Sequence, residues 1–138
     1  MTKRDIGEKI KVVDDRLTSL AAATFKKYGV TLSQTRVLKY INDSGGEAFQ
    51  TDIERYTGSS HPTVVGILSR LERDGFIESR YERDDKLRKK VVMTKKAKDV
   101  GRVVFSDVKR IEKKMTAGFS RAEVNELKRL LDKIIDNI

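Results

Sequence analysis

Apolar positions recur at helical spacing along most of this chain, and the breaks in that spacing divide it into six helices and one hairpin. Ile6, Ile10, Val13, Leu17, Leu20, Thr24 and Phe25 follow a four-three alternation without a proline. This pattern predicts a helix over 3–28 that Gly29 ends, with Ala21 to Ala23 adding a narrow face. About 25 helical residues reach roughly 37 Å, so such a helix packs against more than its own core. A second helix is predicted over Leu32 to Ile41, with Val37, Leu38 and Ile41 inward and Thr31 or Ser33 as its cap. Thr31 with Gln34 has the form of a capping box. Asn42 to Gly46 (NDSGG) reads as a turn, and Gln50 to Thr57 as a short helix stopped by Gly58.

The stretch from Ser59 to Glu78 organises the rest. Ser60 or His61 can cap a helix whose first turn accommodates Pro62, because the missing N–H there would be unpaired anyway. Val64, Ile67, Leu68 and Leu71 form one apolar stripe; Ser60, His61, Thr63, Gly66, Ser69, Arg70 and Arg73 lie opposite it. With Ile53 and Gly58 upstream, the spacing is that of a helix-turn-helix, or of an ordinary pair of core helices. Phe76 to Arg80 and Lys89 to Thr94 then read as two short strands around a charged turn, Tyr81 to Arg88. A long helix follows from Lys95 to about Met115, with Val100, Val104, Val108, Ile111 and Met115 on one face and Val103 widening it. Gly118 breaks it, and Ser120 with Glu123 opens a last helix. That helix carries a stripe of Val124, Leu127, Leu131, Ile134 and Ile138, widened by Leu130 and Ile135. A stripe this wide needs a cover: the first helix of the same chain, or a second copy.

Charge changes the picture. Thirty Lys and Arg oppose 21 Asp and Glu among 138 residues, for a net charge of +9 and a pI near 9.8. From Arg80 to Lys98 nine cations face three acids, a net of +6 in and after the hairpin. Such a balance favours a polyanionic partner. No Cys is present, so disulfides, zinc–thiolate sites and thiol redox sensing are excluded, and a single His excludes a multi-histidine metal site. No cofactor is expected. No run of about 18 apolar residues predicts a membrane span, and MTKRDIGEKI lacks the apolar segment of a signal peptide, so a cytoplasmic protein is expected.

The fold class expected is mainly α with a small β-hairpin wing. The strings Leu32-Ser33 with Arg36-Val37-Leu38, Thr51-Asp52-Ile53, His61 through Glu72, Asp74-Gly75-Phe76-Ile77, and Asp84-Asp85 through Val91-Val92-Met93-Thr94 occur in order. On these the chain resembles the MarR family of bacterial winged helix-turn-helix regulators. The resemblance covers nearly the whole length and is sharpest from Leu32 to Thr94. It implies a homodimer with N-terminal (1–30) and C-terminal (97–138) dimerisation helices around a DNA-binding lobe (31–96). It further implies two recognition helices in successive major grooves of a palindromic operator, wings on the minor grooves, and a repressor released by a small aromatic or phenolic effector bound between the lobes. Two positions depart from the family pattern. Family wings carry Asp-x-Arg at the tip, whereas here the matching positions are Asp85 and Leu87, leaving Lys86, Arg88 or Arg83 to substitute. Many members also have a polar or basic residue where this chain has Gly66.

Double-stranded DNA is thus the expected partner, with positioning separated from reading. Ser59, Ser60, His61 and Thr63 stand at the reading end of the helix, His61 and Thr63 toward base edges, while Val64 or Val65 can meet a thymine methyl. Ser33 and Thr51, near helix starts, are placed to bind phosphate through backbone N–H groups. Arg83, Lys86, Arg88 and Lys89 supply the wing's charge. Arg70 faces DNA or pairs with Glu72 or Asp74. His61 also has a pH-sensor reading, through a ring charged beside phosphate. For an effector, Phe25, Tyr28 and Tyr40 are candidate crevice residues with Arg16 toward a carboxylate, or else plain core and surface residues. The competing classes are a winged-helix module that binds protein or RNA, an enzyme, for which no nucleophile–base set or phosphate-cradling loop is present, and a basic amphipathic membrane binder. The last is disfavoured because the charge lies on a hairpin.

Overall fold

In the computed structural model residues 3–138 are described, so Met1 and Thr2 of the expected segment 1–30 lie outside the described residues. Helix α1 spans Ile6–Tyr28. It starts later than the predicted residue 3 because Asp5 caps it: the Asp5 carboxylate accepts from Glu8 N at 2.8 Å, and the Glu8 carboxylate accepts from Asp5 N at 2.9 Å. Helix α2, Leu32–Asp43, uses Thr31 as its cap with Gln34 closing the box, so Ser33 lies inside the first turn. Strand β1, Glu47–Phe49, leads into α3, Gln50–Thr57. Gly58, at φ 66°, takes the left-handed conformation that lets the chain turn into α4, His61–Arg73, which Ser60 caps.

The hairpin is longer than its apolar pattern indicates. Strands β2 (Ile77–Arg83) and β3 (Leu87–Met93) leave only residues 84–86 as the tip. Predicted as turn, Tyr81, Glu82 and Arg83 instead pair with Lys89, Arg88 and Leu87. Of these residues only Glu82 faces an opposite charge, Arg88, and it also bridges diagonally to Lys90 at 3.1 Å; hydrophobic alternation alone does not reveal this pairing. The three strands form an antiparallel sheet in the order β1-β3-β2, with Glu47 opposite Val92 and Ile77 opposite Met93. β1 is an addition to the predicted elements. Helix α5, Lys95–Met115, is capped by the Thr94 hydroxyl, and α6, Arg121–Asn137, by the Ser120–Glu123 box.

One core joins these elements. Val37, Leu38 and Ile41 of α2, Ile53 of α3, Val64, Leu68 and Leu71 of α4, Phe76, Ile77, Val91 and Met93 of the wing and Val104 of α5 are all buried. Ala21 and Phe25 attach α1 to it, and the Thr24 hydroxyl donates to Asp107 at 2.6 Å, linking α1 to α5. α6 buries none of its residues in this chain. It does not cover α1: Ile10, Val13 and Leu20 stay exposed, as do Leu127, Leu130, Leu131 and Ile135. Of the two covers open to the last helix, packing on the first helix of the same chain is therefore not the one adopted.

Candidate nucleic-acid interface

Burial of the Val64–Leu71 stripe fixes which face of α4 points outward. Val64 is fully enclosed, so it cannot reach a thymine methyl; its place in the i, i+3, i+4 stripe makes it core, and Val65, only half-buried, is the valine left near the surface. His61, Thr63, Ser69 and Arg70 are exposed. The Ser60 hydroxyl is committed to the helix start, lying 3.3 Å from Thr63 N as acceptor and 2.9 Å from Thr63 Oγ1. Ser59 is half-buried, and its N–H donates to Thr57 Oγ1. Arg70 makes no ion pair among the described residues; Asp74 instead holds Arg73, at 3.1 Å, so the intramolecular alternative for Arg70 is not the one adopted.

The wing folds back toward these residues. A cleft of about 230 Å³ is lined by Gln50, Thr51 and Glu54 of α3, His61 of α4, and Lys86, Leu87, Arg88 and Lys89 of the wing. Five predicted DNA-contact residues (Thr51, His61, Lys86, Arg88 and Lys89) thus meet in one concavity. Ser33 stands in the first turn of α2, outside that cleft, and Arg83 is exposed at the wing end of β2. Thr51 is exposed in the first turn of α3, whose cap position is Phe49 and makes no side-chain capping bond. The first N–H groups of α3 therefore remain open to an anion beside the cations of the wing.

The cations differ in availability. Lys90 bridges Glu47 at 2.8 Å and Glu82 at 3.1 Å, and those hydrogen bonds raise it above its ordinary value. Arg88 is shared between Asp84 at 3.5 Å and the Phe49 ring, 3.6 Å beneath its guanidinium. Asp84 itself is held below the usual carboxylate range, first by the Lys86 backbone N–H. Arg83, Lys86 and Lys89 make no ion pair among the described residues, and Leu87, where the resemblance leads one to expect a wing arginine, is exposed.

Glu54 was not among the predicted site residues. Its carboxylate lies 2.5 Å from His61 Nδ1 and 3.3 Å from Gln50 Nε2, and the bond to His61 lowers it below the usual carboxylate range. The seven-residue separation from His61 hides it in the sequence, because the pair forms only across the turn at Gly58.

A second concavity, about 260 Å³, opens between α1, α2 and α5. Leu17, Ala21, Leu32, Val108, Ile111 and Met115 give it apolar walls, with Arg36 and Glu112 as its charged groups. None of the expected effector residues lines it. Phe25 is core, Tyr28 is half-buried against that core, Arg16 is exposed, and Tyr40 stacks on Tyr56 with centroids 4.4 Å apart. Their aromatic character pointed to a crevice, whereas the helix phases direct them elsewhere.

Residues 28–86 match the model of the MarR family. A curated relative, the uncharacterized HTH-type transcriptional regulator YfiV of Bacillus subtilis (strain 168), is 29% identical over 79 residues, covering 57% of this chain and 49% of that protein. This chain thus spans about half the length of the curated relative it matches. Among solved structures, the S. aureus MepR–DNA complex superposes with a TM-score of 0.85 at 21% identity, over 96% of each chain. The transcription regulator MarR from Oenococcus oeni PSU-1 gives 0.83 at 24% identity, over 96% of this chain and 99% of that one. The organohalide-sensing regulator RdhR-CbdbA1625 in its 2,4-dichlorophenol-bound form gives 0.82 at 23% identity, over 96% of this chain and 78% of that one. At these identities the superpositions speak for the fold. The match to the MarR family model thus runs through the reading helix and most of the wing, and the backbone from α1 to α6 has the fold of these solved winged helix-turn-helix regulators.

Proposed function

We propose that this protein is a homodimeric, sequence-specific DNA-binding regulator, a ligand-responsive repressor of a palindromic operator, acting in the cytoplasm. The observation that carries this reading is the convergence of the exposed start of α4, the open N-terminus of α3 and the basic wing on one cleft. His61 and Thr63 would face base edges, Arg70 and the backbone near Ser33 and Thr51 the phosphates, and Arg83, Lys86, Arg88 and Lys89 the flanking minor groove. Lys86 is the residue best placed to stand in for the family's wing arginine, since it sits in the tip and carries no ion pair among the described residues. Solved relatives of the same fold are held with DNA and with a chlorinated phenol.

The dimer would form through the open apolar faces of α1 and α6, with 1–30 and 97–138 as its lobe and 31–96 as the reading lobe. Two-fold symmetry then sets recognition helices about 34 Å apart, one DNA turn. The groove between α1, α2 and α5 lies at the junction of those lobes and suits a single aromatic ring, with Arg36 facing a carboxylate or phenolate. No described helix is long and apolar enough to cross a membrane. Operator binding is tested by fluorescence anisotropy on the protein's own upstream region against random duplex. Selective binding by a dimer, weakened by a phenolic acid in wild type but not in Arg36→Ala, supports the reading. Equal binding to both duplexes contradicts it and directs attention to a protein or RNA partner.

A further inference from the structure

His61 is the lone histidine of the chain, stands at the first position of α4, and has a side chain 68% exposed while its Glu54 partner is only 22% exposed. An ionised carboxylate is acceptor only, so the atom facing it must carry the proton. Nδ1 of His61 faces Glu54 and is therefore the N–H. In the neutral ring Nε2 is then an acceptor, and it makes no hydrogen bond among the described residues. Glu54 is itself held by Gln50 Nε2 at 3.3 Å on a helix anchored through buried Ile53, so the ring is oriented from a fixed support. Around the pair the charged groups are Lys86, Arg88 and Lys89 of the wing, and Glu54 is the only acid lining the cleft among the described residues.

We propose that Glu54 is a positioning residue for base reading: by accepting the Nδ1–H hydrogen bond of His61 it presents Nε2 to the major groove as an acceptor, selecting a base with an amino edge, cytosine N4 or adenine N6. In the major groove cytosine and adenine offer amino donors, whereas guanine offers only acceptors and thymine an acceptor and a methyl group. A ring fixed as the other tautomer, or doubly protonated, would present a donor and be met by guanine, thymine or adenine N7, but not by cytosine. This inference rests on the operator reading above. It adds a residue that touches no DNA and a base class at one operator position.

Two measurements test it. The first needs no DNA: long-range ¹H–¹⁵N spectra of the single imidazole at pH 8 report which nitrogen is protonated. The Nδ1–H tautomer is expected in wild type and in Glu54→Gln, whose amide oxygen still accepts, and a mixed population in Glu54→Ala. The second is an operator panel at pH 8 with each half-site position changed in turn. Wild type and Glu54→Gln should prefer an amino-bearing base by about tenfold at one symmetric position. Glu54→Ala and His61→Ala should each lose that preference, and the double variant should lose no more than either alone. An Nε2–H tautomer in wild type, an undiminished preference in Glu54→Ala, or additive losses would overturn the proposal while leaving operator binding intact. A wild type that binds every duplex alike would overturn both it and the operator reading.

Discussion

The Arg88 guanidinium lies 3.6 Å over the Phe49 ring, and this contact ties the wing to the residue that opens α3. Arg88 sits on β3 and Phe49 ends β1, so the cation is aimed by a strand pairing as well as by its own pair with Asp84. Charge and aim can be separated by mutation. Arg88→Ala is expected to weaken DNA binding and to reduce the salt slope by about one. Phe49→Leu keeps every charge and removes a half-buried stacking contact worth roughly 0.5–2 kcal/mol; it is expected to weaken binding a few-fold with the slope unchanged. Anisotropy titrations over a salt series check both.

Gly66 supplies a second prediction. It lies within α4, and a Cβ placed there would meet nothing within 4 Å. Inside a helix glycine costs about 0.5–1 kcal/mol relative to alanine, so nothing within the chain explains its presence. Gly66→Ala is expected to raise stability by about that amount in denaturant unfolding and to weaken operator binding, because the open space on the reading face would be taken by DNA. Unchanged binding with raised stability would show that the notch is not in the interface.

The unpartnered face of α6 predicts assembly. Leu127 and Leu131 are about 40% exposed on a helix that buries nothing in its own chain. Leu131→Glu is expected to yield a folded monomer at micromolar concentration by sedimentation equilibrium, with operator affinity reduced at least a hundredfold through loss of the second half-site. The fold survives because the core of α2 to α5 does not include that residue.

Acid should act locally at the start of α6. The Glu123 carboxylate accepts the Ser120 backbone N–H at 2.9 Å, and that bond is the first cause of its lowered pKa. A carboxylate depressed in the folded state stabilises above its unfolded pKa, and that stabilisation is lost as pH falls through the folded value. Amide exchange at the start of α6 should therefore quicken as pH falls below about 4, the ordinary carboxylate range, after correction for intrinsic exchange. In Glu123→Gln, which does not titrate, that step should be absent.

Much of this architecture can be read from local chemistry. The Thr31–Gln34 and Ser120–Glu123 boxes mark two helix starts, and the Val64–Leu71 stripe fixes the reading helix. Asp5–Glu8 carries the same code in acidic form, which the apolar pattern overran. β1 is three residues long and exists because Ala48 pairs with Val91, a partner more than 40 positions away. Glu54 reaches His61, and Arg36 and Glu112 come to line one groove, only through tertiary folding, so composition and periodicity carry no trace of either. The aromatic chemistry of Phe25, Tyr28 and Tyr40 suggests an effector crevice, while helix phase decides which side chains face the groove.

The measurement that bears most directly on the central claim is operator binding over salt. If about six to ten phosphates are neutralised per dimer, affinity should fall on the order of 10³–10⁵-fold between 50 and 200 mM salt. The upstream region should stay preferred over random duplex throughout, and Lys86→Ala should weaken both. Binding that is weak, flat in salt and equal on the two duplexes would contradict the account.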